Sequence, residues 1–225
     1  MIKLSGIKRV FQVGDEEVHA LRGIDLTIEA GEYVSIMGPS GSGKSSLLNL
    51  IGLLDRPNAG RYELDGRDVT GLSDDELARV RRDKIGFVFQ FFHLVPRLTA
   101  KQNIELPMVL AGIDPAERKQ RLATLLAQYG LENRAEHRPA QLSGGQCQRV
   151  AIARAMSMQP GVILADEPTG NLDSNTGKEV MALLEGLHQA GGTLIMVTHD
   201  QALGNRAQRR LRLVDGQLAG DDRNA

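Results

Sequence analysis

The sequence predicts an α/β fold built on a mostly parallel core sheet buried on both faces. Three observations carry this. The runs "EYVSIM" (32–37), "KIGFVFQ" (84–90), "GVILAD" (161–166) and "TLIMVTH" (193–199) are almost continuously apolar, as strands covered on both sides must be. Segments of helical period lie between them, and alternating strands and helices build a parallel sheet. The chain has 225 residues, 41% hydrophobic and 24% charged, enough to bury the core of one large domain or two small ones.

The elements follow in order. Residues 2–29 hold two β-rich runs, around 3–11 and 18–28, separated by the acidic turn "GDEE". The strand 32–37 leads into "GPSGSGKSS", and "SLLNLIGLL" continues as a helix. "RYELDGRDV" reads as a short strand with an Asp-Gly turn. "SDDELARVRRDK" opens with Ser73 and Glu76 at capping-box spacing. From Phe91 to about Met158 the chain is mostly helical and reads as an insertion into the sheet. That divides a single domain, 1–225, into a core at about 1–90 and 159–225 and a helical subdomain at about 91–158. Within the insertion, Asp114 is an N-cap, Pro115 opens the helix and Glu117 lies three after the cap. Leu122, Leu125, Leu126 and Tyr129 keep helical period there, and Gly130 stops it. Val180, Leu183, Leu184 and Leu187 mark one face of a helix between the last two apolar strands. "RLRLVDGQLAG" reads as a hairpin around Asp215-Gly216.

Composition excludes several classes. A net charge of -1 gives no broad pull toward nucleic acid or anionic lipid. The arginine-rich stretches 79–82 and 206–212 are expected to be solvated faces. The single cysteine, Cys147, rules out an intramolecular disulfide and fits a reducing compartment. No segment approaches the ~18 apolar residues of a membrane span, and "MIKLSGIKRVFQVG" lacks the apolar core of a signal peptide. Any service to a membrane needs another chain or segment to cross it.

Gly38 to Ser45, "GPSGSGKS", fits G-x-x-x-x-G-K-[ST] in full, with a strand before and a helix after. Glycines let backbone N–H groups curl round phosphate oxygens; Lys44 supplies a point charge, and Ser45 an oxygen for Mg²⁺. A dinucleotide fingerprint fails, because its third glycine falls on Ser46. "VILADE" is a buried strand ending in two acids: Asp166 can hold Mg²⁺, and Glu167 can orient or deprotonate a water. Gln90 and His199 end two other strands, where a parallel sheet faces its ligand crevice. Taken singly, each also reads as a structural residue. In "LSGGQCQRVAIARAM", Ser143, Gly144 and Gly145 open a helix, a second ready anion site. Val150, Ala153 and Ile152 bury that helix and Pro160 closes the segment. Cys147 falls in its first turn and reads as a tolerated, inert substitution; a reactive thiolate favoured by the dipole is the alternative.

Together "GPSGSGKSS", "FVFQ", "LSGGQ", "ILADEPTGNLD" and "VTHD" resemble the ATP-binding cassette ATPases in order and spacing, over essentially the whole chain. "ADEPTGNLDS" and "FHLVPRLTAKQNIELPM" resemble the branch of lipoprotein-release and macrolide-exporter ATPases. The resemblance implies a P-loop NTPase with an N-terminal antiparallel β subdomain and an inserted helical subdomain. It implies ATP and Mg²⁺ as cofactors. Gly38, Pro39, Ser40, Gly41, Ser42, Gly43, Lys44, Ser45 and Ser46 match nucleotide-binding positions, with Ser45, Gln90 and Asp166 toward the metal. Lys44, Gln90, Glu167 and His199 match residues that support hydrolysis. Leu142, Ser143, Gly144, Gly145 and Gln146 match the signature that acts on the ATP of a second copy, and Asp173 matches the loop acid of the subunit interface. Phe11 falls where the family stacks an aromatic on adenine; a core phenylalanine is the alternative. Cys147 departs from the polar residue usual there.

The implied partners are a second copy in a head-to-tail dimer and a membrane permease, separate or fused, with no nucleic acid. The implied location is cytoplasmic, on the inner face of the cell membrane. "FFHLVPRL" is the expected permease contact, with Phe92 and Leu94 the residues to test; a plain packing cluster is the alternative. A signalling module that moves no cargo shares the same sequence features. Chromosome and repair ATPases with LSGGQ need long heptad arms, which 46–141 lacks.

Overall fold

The computed structural model describes residues 1–223. The chain forms two compact units: Met1–Arg81 with the segment from His188 onward, and Arg82–Leu187.

In the first unit, β1 (Ile2–Val13) and β2 (Glu16–Ile28) pair antiparallel around Gly14. β4 (Ala59–Leu64) and β5 (Arg67–Asp68) extend this sheet in the order β2-β1-β4-β5. It forms because Ile2, Leu4, Ile7, Leu21, Ile24, Leu26 and Ile28 are buried while polar residues between them face out. A second set of strands centres on β3 (Tyr33–Met37), parallel to both β8 (Thr193–Val197) and β9 (Arg209–Val214). β10 (Gln217–Arg223) turns back antiparallel on β9, the expected hairpin. Every residue of β8 is buried, as its unbroken apolar run requires.

α1 (Lys44–Ile51) leaves β3 and buries Leu47, Leu48, Leu50 and Ile51. It stops three residues short of the expected Leu54. Leu53 adopts φ +56°, and its N–H and that of Leu54 turn back to the carbonyls of Leu50 and Asn49. This is a Schellman-type close made without glycine. The Arg81 guanidinium, from α2 (Asp74–Lys84), donates to the Leu53 carbonyl at 2.6 Å. The Ser73–Glu76 capping box is present, and the Ser73 hydrogen bonds hold the Glu76 carboxyl below its ordinary range. A short α7 (Gln201–Gly204) is capped by Asp200.

One expectation fails here. Arg209 is not part of a solvated face; its side chain is 6% exposed. It forks onto Asp221 at 2.8 and 2.7 Å and donates to Glu32 at 2.9 Å and the Thr27 carbonyl at 2.7 Å. Its position on β9, beside β3, buries it; the four bonds satisfy the charge. Arg206 and Arg212 are exposed, as expected.

In the second unit, β6 (Ile85–Phe89) lies parallel to β7 (Val162–Asp166) in a register that sets Phe89 beside Asp166. Between β6 and β7 run α3 (Ala100–Leu110), α4 (Pro115–Gln128) and α5 (Gly144–Met156), and α6 (Ser174–Gln189) follows β7. α4 starts as expected on Asp114 and Pro115. α5 is buried almost all round, through Gly145, Cys147, Gln148, Val150, Ala151, Ile152 and Ala153. Buried Asn103 on α3 accepts from the Val95 N–H and donates to the carbonyls of Val95, Leu98 and Thr99, pinning the loop before the helix.

Arg209→Met should destabilise the chain by about 2 kcal/mol, the scale of lost hydrogen bonds to charged groups. Urea unfolding checks this; an unchanged midpoint would show the ion pair contributes nothing.

Candidate functional site

In the first unit, residues 38–43 join β3 to α1. Two glycines are imposed from behind the loop. A Cβ on Gly38 would lie 2.0 Å from the Leu213 carbonyl oxygen, and one on Gly43 (φ +100°) 2.3 Å from that of Ala20. The Gly216 N–H in the β9–β10 turn donates to the Ser42 carbonyl, and the Arg22 N–H of β2 donates to the Gly216 carbonyl. The loop is thus wedged between β2 and the terminal hairpin. Gly43 caps α1 without a side chain, so the helix opens with N–H groups that no capping side chain takes. Lys44 Nζ donates to the carbonyls of Gly38 (2.9 Å) and Pro39 (2.7 Å), folded onto its own loop. Pro39, Ser40, Gly41 and Ser45 are exposed; Ser46 is half-buried.

Ser42 turns its side chain inward. It is 2% exposed, its hydroxyl faces inward with no partner, and its N–H donates to Pro39. Its side chain lies against Gly38.

His199 lines a cavity of about 560 Å³ together with Gly38, Pro39, Gln201, Arg210 and Arg212. The phosphate loop and the histidine therefore face one space within this unit. The two arginines were read from sequence only as solvated charge; their alternation on β9 was the available signal. Phe11 lies half-buried on β1, not in the core. The Arg9 guanidinium carbon sits 4.3 Å from its ring centroid, and Arg9 is fixed by Asp55 at 2.6 Å.

In the second unit, the β6–β7 register sends Gln90 and Glu167 off the strand ends side by side, next to Asp166. Glu167 adopts φ +46°. Gln90 lies against Gly170 and exchanges hydrogen bonds with Asn171. At the start of α5, Ser143 and Gln146 form a capping box: the Ser143 hydroxyl accepts from the Gln146 N–H, and the Gln146 side chain accepts from the Ser143 N–H. The hydroxyl hydrogen of Ser143 remains available to an anion. Leu142 is half-buried. A Cβ on Gly144 would meet Leu172 at 3.3 Å, and one on Gly145 would lie 2.3 Å from Thr176 of α6. Asp173 caps α6, accepting from the N–H groups of Asn175 and Thr176 and from the Thr176 hydroxyl. The Thr176 bonds lead in holding its carboxyl below the ordinary range.

Two residues of α5 that sequence reasoning missed organise this region. Gln148, fully buried, donates to the carbonyls of Phe89 (3.3 Å) and Pro168 (2.6 Å). Arg154 donates to the carbonyls of Phe92 (2.9 Å) and His93 (2.6 Å), both residues at positive φ. A polar residue on the buried side of an otherwise apolar helix was the only signal for Gln148. Cys147 fits the inert reading. It is 6% exposed with Sγ 3.6 Å from the Pro139 carbonyl, and burial pushes its thiol pKa up. Burial disfavours the charged thiolate.

Comparison with known proteins identifies the class. The ABC transporter family profile matches residues 21–170, and the chain belongs to that family. Among relatives, it is 53% identical to the macrolide export ATP-binding/permease protein MacB of Marinobacter nauticus, over 98% of this chain and 34% of MacB. It is 51% identical to the ABC transporter ATP-binding protein YvrO of Bacillus subtilis, over 99% of this chain and 97% of YvrO. It is 53% identical to the pyoverdine export ATP-binding/permease protein PvdT of Pseudomonas fluorescens, over 98% of this chain and 34% of PvdT. The chain thus spans about a third of the length of MacB and PvdT. The ATP-binding cassette MJ0796, solved as a dimer in a post-hydrolysis state with ADP and Pi, superposes with a TM-score of 0.91 at 46% identity, covering 99% of this chain and 98% of that one. The fold is that of the ABC ATPase cassette.

A thiol reagent such as Ellman's reagent should modify Cys147 in the folded chain at least about tenfold more slowly than a free thiol. Modification at the free-thiol rate, followed by absorbance, would restore the reactive reading.

Proposed function

We propose that the chain is a Mg²⁺-dependent ATPase that dimerises around ATP and drives a membrane permease, fused or separate, in export. One observation carries this reading. Each copy has a phosphate loop opening α1 and a second anion-ready helix start at Ser143, in different compact units. A head-to-tail pair gives each phosphate loop a signature from the other copy. The dimeric cassette MJ0796 and the export proteins MacB and PvdT support it. The signalling alternative finds no support among them. No helix among the described residues is long and apolar enough to cross a membrane, so the permease would supply the span and hold the chain on the cytoplasmic face. No nucleic-acid partner is invoked.

The donors suit Mg²⁺. Ser45, Gln90 and Asp166 offer hard oxygens, and among the described residues no three His, Cys, Asp or Glu cluster as a metal site. Mg²⁺ needs no more, since it takes few protein ligands beside phosphate and water. The bound nucleotide supplies a phosphoryl group for transfer to water; the chain positions and neutralises it. Lys44 exchanges the Gly38 and Pro39 carbonyls for phosphate oxygens, while the N–H groups at the α1 start cradle them. Glu167 orients or deprotonates the attacking water, and His199 donates to the outer phosphate. Phe11 stacks on the base with its ring steadied by Arg9. Ser143 and Gly145 act on the ATP of the other copy, and Asp173 lies at the dimer interface.

Exposure along "FFHLVPRL" favours its flanking apolar residues for the proposed permease contact. Phe92 and Leu94 are half-buried, with the Phe92 ring tip near Gly144. Phe91 is 69% exposed and Val95 37% exposed, so these two present the apolar surface.

Glu167→Gln should bind ATP, form a dimer in light scattering with excess ATP, and lose at least about 100-fold in turnover, the scale of a missing general base. A monomer with persisting turnover would end the proposal. Phe91→Ser should lower permease-stimulated ATPase at least about fivefold, the scale of one lost apolar contact, and spare basal hydrolysis. Full stimulation in that variant would move the contact elsewhere.

A further inference from the structure

Gln90 is held by a neighbour to which the sequence assigned no role. Asn171 Nδ2 donates to the Gln90 main-chain carbonyl at 3.1 Å, and Gln90 Nε2 donates to Asn171 Oδ1 at 3.2 Å. Gly170 makes room for this pair: a Cβ there would sit 2.7 Å from Gln90 Nε2 and 3.0 Å from its Cδ.

The two bonds fix which way each amide faces. A main-chain carbonyl can only accept, so the end of Asn171 beside it must be the NH₂ group. Asn171 therefore turns its oxygen to the Gln90 side chain, which must answer with its own NH₂ group. Gln90 Oε1 is left without a hydrogen bond from the described protein. Only that oxygen can bind a hard cation; the NH₂ end would repel one. We propose that Asn171 is a positioning residue that locks the Gln90 amide with its oxygen, and not its nitrogen, offered to the divalent cation. This rests on the reading of Gln90 as a metal contact. Without Asn171 the amide samples both orientations and is held by neither bond.

The test is a binding measurement on the full chain, with no turnover. The affinity of a non-hydrolysable ATP analogue is measured by calorimetry in EDTA and in excess Mg²⁺, and the ratio gives the metal-dependent gain. Asn171→Ala should cut this gain about fivefold, the factor expected from one lost hydrogen bond, and leave the EDTA affinity unchanged. Asn171 is exposed, so the variant should fold. In a Gln90→Ala background, Asn171→Ala should have no further effect. If Gln90→Ala lowers the gain while Asn171→Ala does not, or if Asn171→Ala lowers it equally in both backgrounds, the positioning role is overturned and the metal reading of Gln90 stands. If Gln90→Ala itself leaves the gain unchanged, the metal reading fails and takes the positioning role with it.

Discussion

The second unit turns on a single buried amide. Gln148 reaches from the middle of α5 to the carbonyls of Phe89 and Pro168, the points where two strand ends become loops. These loops carry Gln90 on one side and Asp166 and Glu167 on the other. The parallel register of β6 and β7 brings the strand ends level, and Gln148 keeps the chains beyond them from parting. Its oxygen is buried without a hydrogen bond, so the amide is only half satisfied. An unmet acceptor costs about 1–3 kcal/mol, which the two donated bonds offset in part. The start of α5 is therefore tied, through Gln148, to the loops beside Gln90, Asp166 and Glu167.

Backbone strain gathers at the same place. Phe92, His93 and Glu167 all adopt left-handed conformations that bulky residues avoid, each costing about 1–2 kcal/mol. Arg154 sustains the first two. It spends both ends of its guanidinium on their carbonyls, and burial lowers its pKa. Asn103 holds the far end of the same loop through three carbonyls and one N–H. The segment from Gln90 to Thr99 is thus irregular in path but pinned at both ends.

Much of the fold was legible because its signals are local. Unbroken apolar runs gave the strands, Asp114-Pro115 and Ser73–Glu76 gave helix starts, and Asp215-Gly216 gave the terminal turn. The placing of "GPSGSGKS" between β3 and α1, and of Asp166 at the end of β7, was legible because glycine loops and apolar strands leave few alternatives at that spacing. What was hidden depends on partners distant in sequence. Arg209 is buried because Glu32 and Asp221 converge on it; the alternation in "RRLRLV" sets it in phase with Leu211 and Leu213 and apart from exposed Arg212, but does not show what would satisfy its charge. For Cys147 the sequence left an inert substitution and a reactive thiolate open, and burial, a three-dimensional quantity, favours the inert one. Ser42 looked like its neighbours in "GPSGSGKS" and turned inward.

The wedge behind the phosphate loop bears on how the chain tolerates change. A two-residue hairpin turn on a terminal edge is ordinarily a permissive site for tags and insertions. Here the Asp215-Gly216 turn is a wall of the phosphate loop, bonded to Ser42 on one side and Arg22 on the other, and an added Cβ on Gly216 would lie 2.8 Å from the Ala20 carbonyl. A graft at that turn changes the curvature of the anion cradle before it disturbs the packed core. Variation in this hairpin among relatives is thus a route by which nucleotide affinity can drift while every residue of the phosphate loop stays the same.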